Sequence, residues 1–435
     1  MTTEHGAAPV GTALAPLARL AAAPPLPRCD FCPGARRVYN RAMYRPARTP
    51  RPTPQLIATT EALDQLCHRL AADAFVTVDT EFMREKTYWP ELCVVQLAGT
   101  QDVAVVDALA PGLDLAPLGV LFANPAVTKV FHAARQDVEI FLQMFGAVPV
   151  PLFDTQVAAM VAGFGDQVGY DSLVGALTGG HIDKAHRFSD WSARPLSPAQ
   201  VTYAAADVTH LRTVYERLSA RLEKDGRLAW VGEEMAALAE PSTYRPDPES
   251  MWERLRPRTA NRRMLGALRA IAAWREREAQ RINIPRQRLV RDESLLELAA
   301  TMPDSAEALA RIRGISRGFA EGPTGQGLLA ALAHVAALPE DALPDGRGHR
   351  DGPKPSPALV ALLKVLLAAK AEQHDVAPRL LASSEELDRL ATEETPDIPA
   401  LSGWRLHVFG EDAQALKAGR IALGVDGKRI KLIRL

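Results

Sequence analysis

The first sustained pattern begins at Thr60, where "TEALDQLCHRLAAD" spaces its apolar residues at helical intervals behind a threonine suited to cap a helix. Three short runs follow, "FVTVDTEF", "LCVVQLAG" and "DVAVVDAL", each of strand length and separated by turn residues, notably Gly99 to Asp102. They predict an antiparallel meander. "TKVFHA" then reads as a fourth strand entering a helix, "RQDVEIFLQMFG", and helical runs recur near 154–163, 171–178 and 198–222. Strands in hairpins first, then strands alternating with helices, predict an α/β domain with a mixed sheet.

The Pro-rich "EPSTYRPDPES" at 240–250 breaks this pattern, and everything beyond it reads as helical with a period near 3.6. A second linker, "LPDGRGHRDGPKPSP" at 343–357, divides that helical part in two. The two parts resemble each other. "NIPRQRLVRDESLLELA" from Asn283 aligns without gaps on "DVAPRLLASSEELDRLA" from Asp375, at an offset of 92 that places Leu295 on Leu387 and Leu298 on Leu390. An internal duplication of one small helical module is the simplest account. The chain is therefore expected to hold a disordered Ala/Pro/Arg-rich arm (1–54), an α/β domain (55–225), a linker (226–258), a first helical module (259–340), a linker (341–357) and a divergent second module (358–435).

Composition adds three constraints. With 435 residues, 47% hydrophobic and 24% charged, the chain has the make-up of a multidomain globular protein. Its apolar runs stop well short of the ~18 residues a membrane span requires, and the arm lacks a secretory signal, so neither membrane insertion nor export is expected. Four cysteines (Cys29, Cys32, Cys67, Cys93) are too few for a disulfide framework and fit a reducing, cytoplasmic setting. Cys29-x-x-Cys32 has no second close-spaced Cys/His pair and reads as chance spacing; Met43 is an alternative translation start to Met1. The net charge of −1 means that a polyanionic partner has to be met by a local basic region.

The candidate chemistry lies in "FVTVDTEF". Residues i and i+2 of a strand face the same way, so Asp79 and Glu81 project together. In isolation such a pair would be a solvated strand face, but the flanking apolar run indicates a central strand, where paired carboxylates call for a hard cation. Asp137 falls in the first turns of the helix after the fourth strand, and Tyr203 and Asp207 in "YAAAD" share one helix face at i and i+4. Each taken alone has an ordinary explanation, a helix-dipole carboxylate or a surface pair.

In this order, D-x-E, helix-borne Asp and Y-x-x-x-D resemble the DEDD superfamily of 3′→5′ exonucleases in its Tyr-containing subclass. The longer stretches "VDTEFMREKTYWPELCVVQLAG", "FHAARQDVEIF", "FDTQVAAM" and "DWSARPLSPAQVTYAAADVTHL" are similar to the ribonuclease D family over roughly residues 55–225. "ALRAIAAWREREAQRINIPRQRLVRDESLLELA" resembles the helicase-and-RNase-D C-terminal (HRDC) module. The resemblance implies a ribonuclease-H-like α/β exonuclease domain followed by two all-α HRDC-like modules. It implies that Asp79, Glu81, Asp137 and Asp207 hold two Mg²⁺ or Mn²⁺ ions, that Tyr203 orients the attacking water, and that the substrates are RNAs, especially tRNA precursors with 3′ trailers. Nothing in the sequence calls for an obligate protein partner. The rival readings are a DNA exonuclease, since the site acts on a phosphodiester without requiring a 2′-hydroxyl, and an RNA-binding scaffold without catalysis; the complete acidic set argues against the second.

Further candidates for substrate contact are His132, Gln96, Lys184, Arg187 and Arg194. Residues 252–291 hold twelve arginines against three glutamates, with no Asp or Lys, and supply the local basic region. Arg254, Arg256, Arg258, Arg262, Arg263, Arg286, Arg288 and Arg291 are its uncompensated members. In the second repeat, Pro378, Leu380 and Ser383 stand at the positions of Arg286, Arg288 and Arg291. The first module is therefore expected to grip RNA and the second mainly to pack, so that deleting 355–435 weakens RNA binding less than removing Arg258 to Arg291.

Overall fold

A computed structural model describes residues 53–183, 185–345 and 354–435. The arm expected at 1–54, with its Cys-x-x-Cys pair and Met43, lies outside the described residues but for its last two positions, and so does Lys184. The chain of elements opens with β1 (Gln55–Ile57) and α1 (Thr60–Leu70), whose N-cap is Thr59, one residue before the expected threonine; its hydroxyl accepts from the Ala62 amide. The meander follows as β2 (Phe75–Met83), β3 (Glu91–Ala98) and β4 (Val103–Asp107), then α2 (Ala116–Ala123), β5 (Thr128–Phe131), α3 (Arg135–Phe145), β6 (Leu152–Asp154), α4 (Thr155–Val161), α5 (Tyr170–Thr178) and α6 (Pro198–Lys224).

The six strands form one mixed sheet in the order β1-β4-β3-β2-β5-β6. β2 is central: it pairs antiparallel with β3 and parallel with β5. Its two faces do different things. Val76 and Val78 point into one core with Leu66, Val95, Leu97 and Phe141. Thr77, Asp79 and Glu81 point to the face covered by α6, where the Thr77 hydroxyl donates to the Val208 carbonyl at 2.8 Å.

The stretch 226–258, read as a linker, is structured. It holds α7 (Leu228–Leu238) and two 3₁₀ turns, with Val231 and Met235 in the core of the exonuclease half and Tyr244 buried. Two of its four prolines, Pro241 and Pro248, stand at the starts of the two turns, where a missing N–H costs nothing.

The first module comprises α8 (Arg262–Ile282), α9 (Arg286–Leu289), α10 (Asp292–Thr301), α11 (Ala306–Leu309), α12 (Arg317–Glu321) and α13 (Pro323–Ala337). The second has α14 (Pro357–His374), α15 (Pro378–Leu381), α16 (Ser384–Thr392), α17 (Gly403–Arg405) and α18 (Glu411–Lys417). The repeat is visible in the backbone. α8 and α14 end in left-handed residues 92 positions apart, Asn283 (φ 53°) and Asp375 (φ 49°), and the next helices start at Arg286 and Pro378, again 92 apart. Leu295, Leu387, Leu298 and Leu390 are all buried.

The second module is not all-α. It ends in an antiparallel hairpin, β7 (Ile421–Asp426) and β8 (Arg429–Arg434), which corrects the helical expectation for 358–435. The turn residues Gly427 and Lys428, flanked by alternating apolar residues, are the local signal for it.

Both modules dock on the α/β domain through the same repeat position. The Asn283 amide oxygen accepts the backbone N–H groups of Tyr88 and Trp89 at 3.1 and 3.0 Å. Asp375 accepts from Arg221 at 3.3 Å, while its carbonyl and that of His374 accept from Arg227. Tyr88 is buried in the core of the first module; Trp404 of the second stacks on Trp230 of α7 with ring centroids 4.6 Å apart.

Candidate active site

β2 and α6 build the centre of the site. Asp79 sits opposite Gln96 and Glu81 opposite Val94 in the β2–β3 ladder, and the register shifts between Glu81 and Phe82, so the strand bends just past the two carboxylates. Above them lies α6, started by Ser197 in a reciprocal capping box with Gln200. Tyr203 and Asp207 occupy one face of its second and third turns. Ala204 and Ala205, both buried, let the helix approach the sheet closely. Carboxylate oxygens of Asp79, Glu81 and Asp207 lie within 4.8 Å of one another, the one such acidic cluster among the described residues.

Asp137 stands behind this trio. It is buried in the first turn of α3, and its carboxylate accepts a hydrogen bond from Thr80, the residue between the two β2 acids. α3 is set in place by Asp154, the N-cap of α4 and a residue that sequence reading passed over inside "FDTQVAAM". Its buried carboxylate accepts from the amides of Ala133 and Ala134 at 3.0 and 2.8 Å and of Gln156 at 2.7 Å. Ala133 has a left-handed backbone (φ 57°), which these bonds hold against its steric cost.

Crowding of acids in a buried place raises their proton affinity. Burial pushes the Asp79 carboxyl up to about 6 and that of Asp207 up to about 8, the latter helped by Asp79. Glu81 is pushed up to about 9 by burial and then by Asp79, Asp207 and Asp137. Asp137 is also raised, by burial and by Asp79. The Tyr203 phenol is raised by burial, Asp207 and Glu81, so it keeps its proton throughout the physiological range. Four hard oxygen donors whose mutual repulsion disfavours their charge fit divalent cations.

A cavity of about 260 Å³ opens beside the trio, lined by Asp79, His132, Tyr170, Arg187, Tyr203 and Asp207. The Tyr170 hydroxyl donates to the Asp207 carbonyl, and its ring packs on His132 with centroids 5.0 Å apart. His132 is fixed through Nδ1 by the Thr155 hydroxyl at 3.0 Å, whereas its Nε2 is buried without a hydrogen-bond partner among the described residues. On the other side of Glu81 a second cleft, about 630 Å³, is lined by Lys86, Arg187 and Phe188 among others. Phe188 is 92% exposed, a large apolar side chain at the rim that sequence reading missed; only its position in the folded cleft distinguishes it from any loop aromatic.

Several other candidates are placed elsewhere. Gln96 has no exposed surface, so it is not positioned to touch RNA. Arg194 donates to Asp107 at 2.8 Å and to the carbonyls of Cys93, Trp191 and Ala193, pinning the loop before α6 to the sheet. Arg262 and Arg263 cap carbonyls at the end of α13 and beyond, including Leu343 and Val335 at 2.8 Å each. Arg286 is an internal ion: it binds the buried Glu276 carboxylate at 2.8 Å and the Tyr88 hydroxyl at 3.0 Å. Arg254, Arg256, Arg258, Arg288 and Arg291 remain exposed, with no side-chain partner among the described residues.

A mixed sheet with three convergent carboxylates, a fourth from the following helix and a helix-borne Tyr defines a 3′–5′ exonuclease, and the family model described as "3'-5' exonuclease" matches residues 54–223. That of the HRDC domain matches residues 264–332. Ribonuclease D of Gluconacetobacter diazotrophicus is 68% identical over 391 residues, covering 90% of this chain and all of its own, and that of Granulibacter bethesdensis is 70% identical over 392 residues, covering 90% and 99%. The crystal structure of Escherichia coli RNase D, described as an exoribonuclease involved in structured RNA processing, superposes with a TM-score of 0.74 at 32% identity, covering 84% of this chain and 99% of its own. The chain belongs to the ribonuclease D family.

Proposed function

We propose that this enzyme hydrolyses the last phosphodiester at an RNA 3′ end, releasing nucleoside 5′-monophosphates, with Mg²⁺ or Mn²⁺ held by Asp79, Glu81, Asp137 and Asp207. The observation that carries the reading is the convergence of three carboxylates within 4.8 Å, with the fourth buried behind them. Bound there, two divalent cations would offset the repulsion among the acids and act as Lewis acids toward the scissile phosphate. The chain's own residues do the rest. Tyr203, protonated and on the same helix face as Asp207, orients the attacking water by hydrogen bonding; its raised proton affinity makes it a positioning group in preference to a base. The water oxygen bonds to phosphorus as the bond to the 3′-oxygen breaks; the water gives up its proton to solvent, and the departing 3′-oxygen takes one from solvent.

Arg187 faces both cavities and takes a phosphate, while Phe188 offers its exposed face to an unpaired base. His132 lines the same cavity with its Nε2 buried, and shapes the wall beside the terminal nucleotide. Folded RNAs with 3′ trailers, tRNA precursors among them, are the substrates this reading favours, processed in the cytoplasm without an obligate partner. Its support is the described activity of the E. coli relative on structured RNA.

A time course on a 3′-extended tRNA precursor with Mg²⁺ or with EDTA, reading both product ends, tests the assignment. Mononucleotide release that needs the cation and vanishes in Asp79→Asn is expected. Undiminished degradation by that variant would overturn it. Matched RNA and DNA oligonucleotides separate this reading from a DNA exonuclease.

A further inference from the structure

We infer that the C-terminal hairpin β7–β8 is a second RNA-contact element, one that takes the phosphate backbone of the base-paired body of a folded substrate. The inference rests on the reading of folded RNA as substrate and goes beyond the catalytic site. From Ala418 to Leu435 the chain carries five cationic side chains, Arg420, Lys428, Arg429, Lys431 and Arg434, against one carboxylate, Asp426. None of the five has a hydrogen bond or ion pair among the described residues, and all are exposed. In a chain whose net charge is −1, such a local excess is a feature of this ribbon and not of general basicity.

The shape matches the charge. Leu423 and Leu432 face each other across the ladder and pack against the core of the second module, which anchors the base of the hairpin. Beyond them the ribbon leaves the body: Val425 is 79% exposed, and Lys428 and Arg429 form the tip. Lys431 lies opposite Gly424, so no facing side chain covers it. Two-stranded ribbons are established contacts of DNA helices, and on an A-form RNA the same cations meet the backbone from outside the groove.

Chemistry also indicates which part of an RNA is met here. The hairpin contains no aromatic residue, so it offers no platform for unstacked bases. The aromatic next to cations stands instead at the catalytic rim, in Phe188. An unpaired 3′ end suits the rim, and a paired segment, whose stacked bases leave phosphates and 2′-hydroxyls as the main contacts, suits the ribbon. The second module thus packs and binds, where the alignment of the repeats alone gave it packing only, because that alignment ends before the hairpin begins.

The test combines Lys428→Gln, Arg429→Gln and Lys431→Gln in the full chain, with far-UV circular dichroism and a melting curve as controls; these exposed, unpartnered side chains are expected to leave both unchanged. Binding to a stem-loop RNA with a short 3′ tail is read in EDTA, where no cleavage occurs, across a salt series. We expect an affinity loss of about tenfold at low salt and a salt slope shallower by about 2 to 3, near 0.9 per lost contact. Affinity and turnover for a short unpaired oligonucleotide should not move. Unchanged affinity and slope on the stem-loop would overturn the proposal; so would an equal loss on the unpaired oligonucleotide, which would make the ribbon a general polyanion contact. Failure of the parent protein to cut the short oligonucleotide would count against the catalytic reading and leave the binding comparison standing.

Discussion

Burial, and then the three carboxylates that converge on it, make Glu81 hold its proton well above the ordinary range, and this has a thermodynamic consequence for the cation-free protein. Asp79, Asp207 and Glu81 titrate near 6, 8 and 9 in the fold, all above their ordinary values. Between those ordinary values and the folded ones the native state binds more protons than the unfolded state, so stability falls as pH rises through that window. In EDTA the melting temperature is expected to drop from about pH 5 to about pH 9, and added Mg²⁺ should raise it more at the alkaline end, since binding displaces protons. A Mg²⁺ effect that shrank with rising pH would contradict the assigned cluster. Asp79→Asn should lower turnover by at least about a thousandfold, while Tyr203→Phe should cost about a hundredfold through misplaced water and leave the Mg²⁺ effect on melting intact.

At this scale the acids were legible and the arginines were not. The i, i+2 alternation of a strand and the i, i+4 spacing of a helix fix where Asp79, Glu81, Tyr203 and Asp207 point before any tertiary contact is known. Whether Arg194 or Arg286 reaches solvent depends on carbonyls and carboxylates up to about a hundred residues away, at Cys93 and Asp107 or within α8, and no local pattern carries that information.

Elements behave similarly. The meander and the helices around 135 to 224 follow from periodicity, because their amphipathic faces meet one core. Two misreadings share a cause, a local signal passed over: Pro-rich 240–250 was read as a break and 421–434 as helical, yet Pro at a helical first turn and Gly-Lys between alternating residues are start and turn signals. The joint between β5 and α3 depends on Asp154. Replacing it with Ala leaves the amides of Ala133 and Ala134 without their acceptor and frees the left-handed turn. A destabilisation of about 2 to 4 kcal/mol by urea denaturation is expected, with lower cation affinity because Asp137 moves with the helix.

Across the whole molecule, the repeat explains how three compact parts become one. Asn283 and Asp375, equivalent corners of the two modules, each grip a different side of the exonuclease half. Buried contacts cross both joints: Tyr88 with Glu276 and Arg286, and Trp404 and Arg405 with Glu234. Calorimetry of the intact chain is therefore expected to show one unfolding transition, and Glu276→Ala, which leaves Arg286 without its buried partner, to split off the first module as a separate, lower-melting step. Retention of a single transition in that variant would show that Tyr88 packing and the Asn283 hydrogen bonds suffice to couple the halves.

Tyr88 lies seven positions after Glu81, in the loop that joins β2 to β3. The segment that tethers the first module thus follows closely on the strand that presents two of the four acids. A bulky RNA held by the module is therefore expected to pull on the segment that follows Glu81, and comparing turnover of short and of large folded RNAs checks whether the size of the cargo enters the rate.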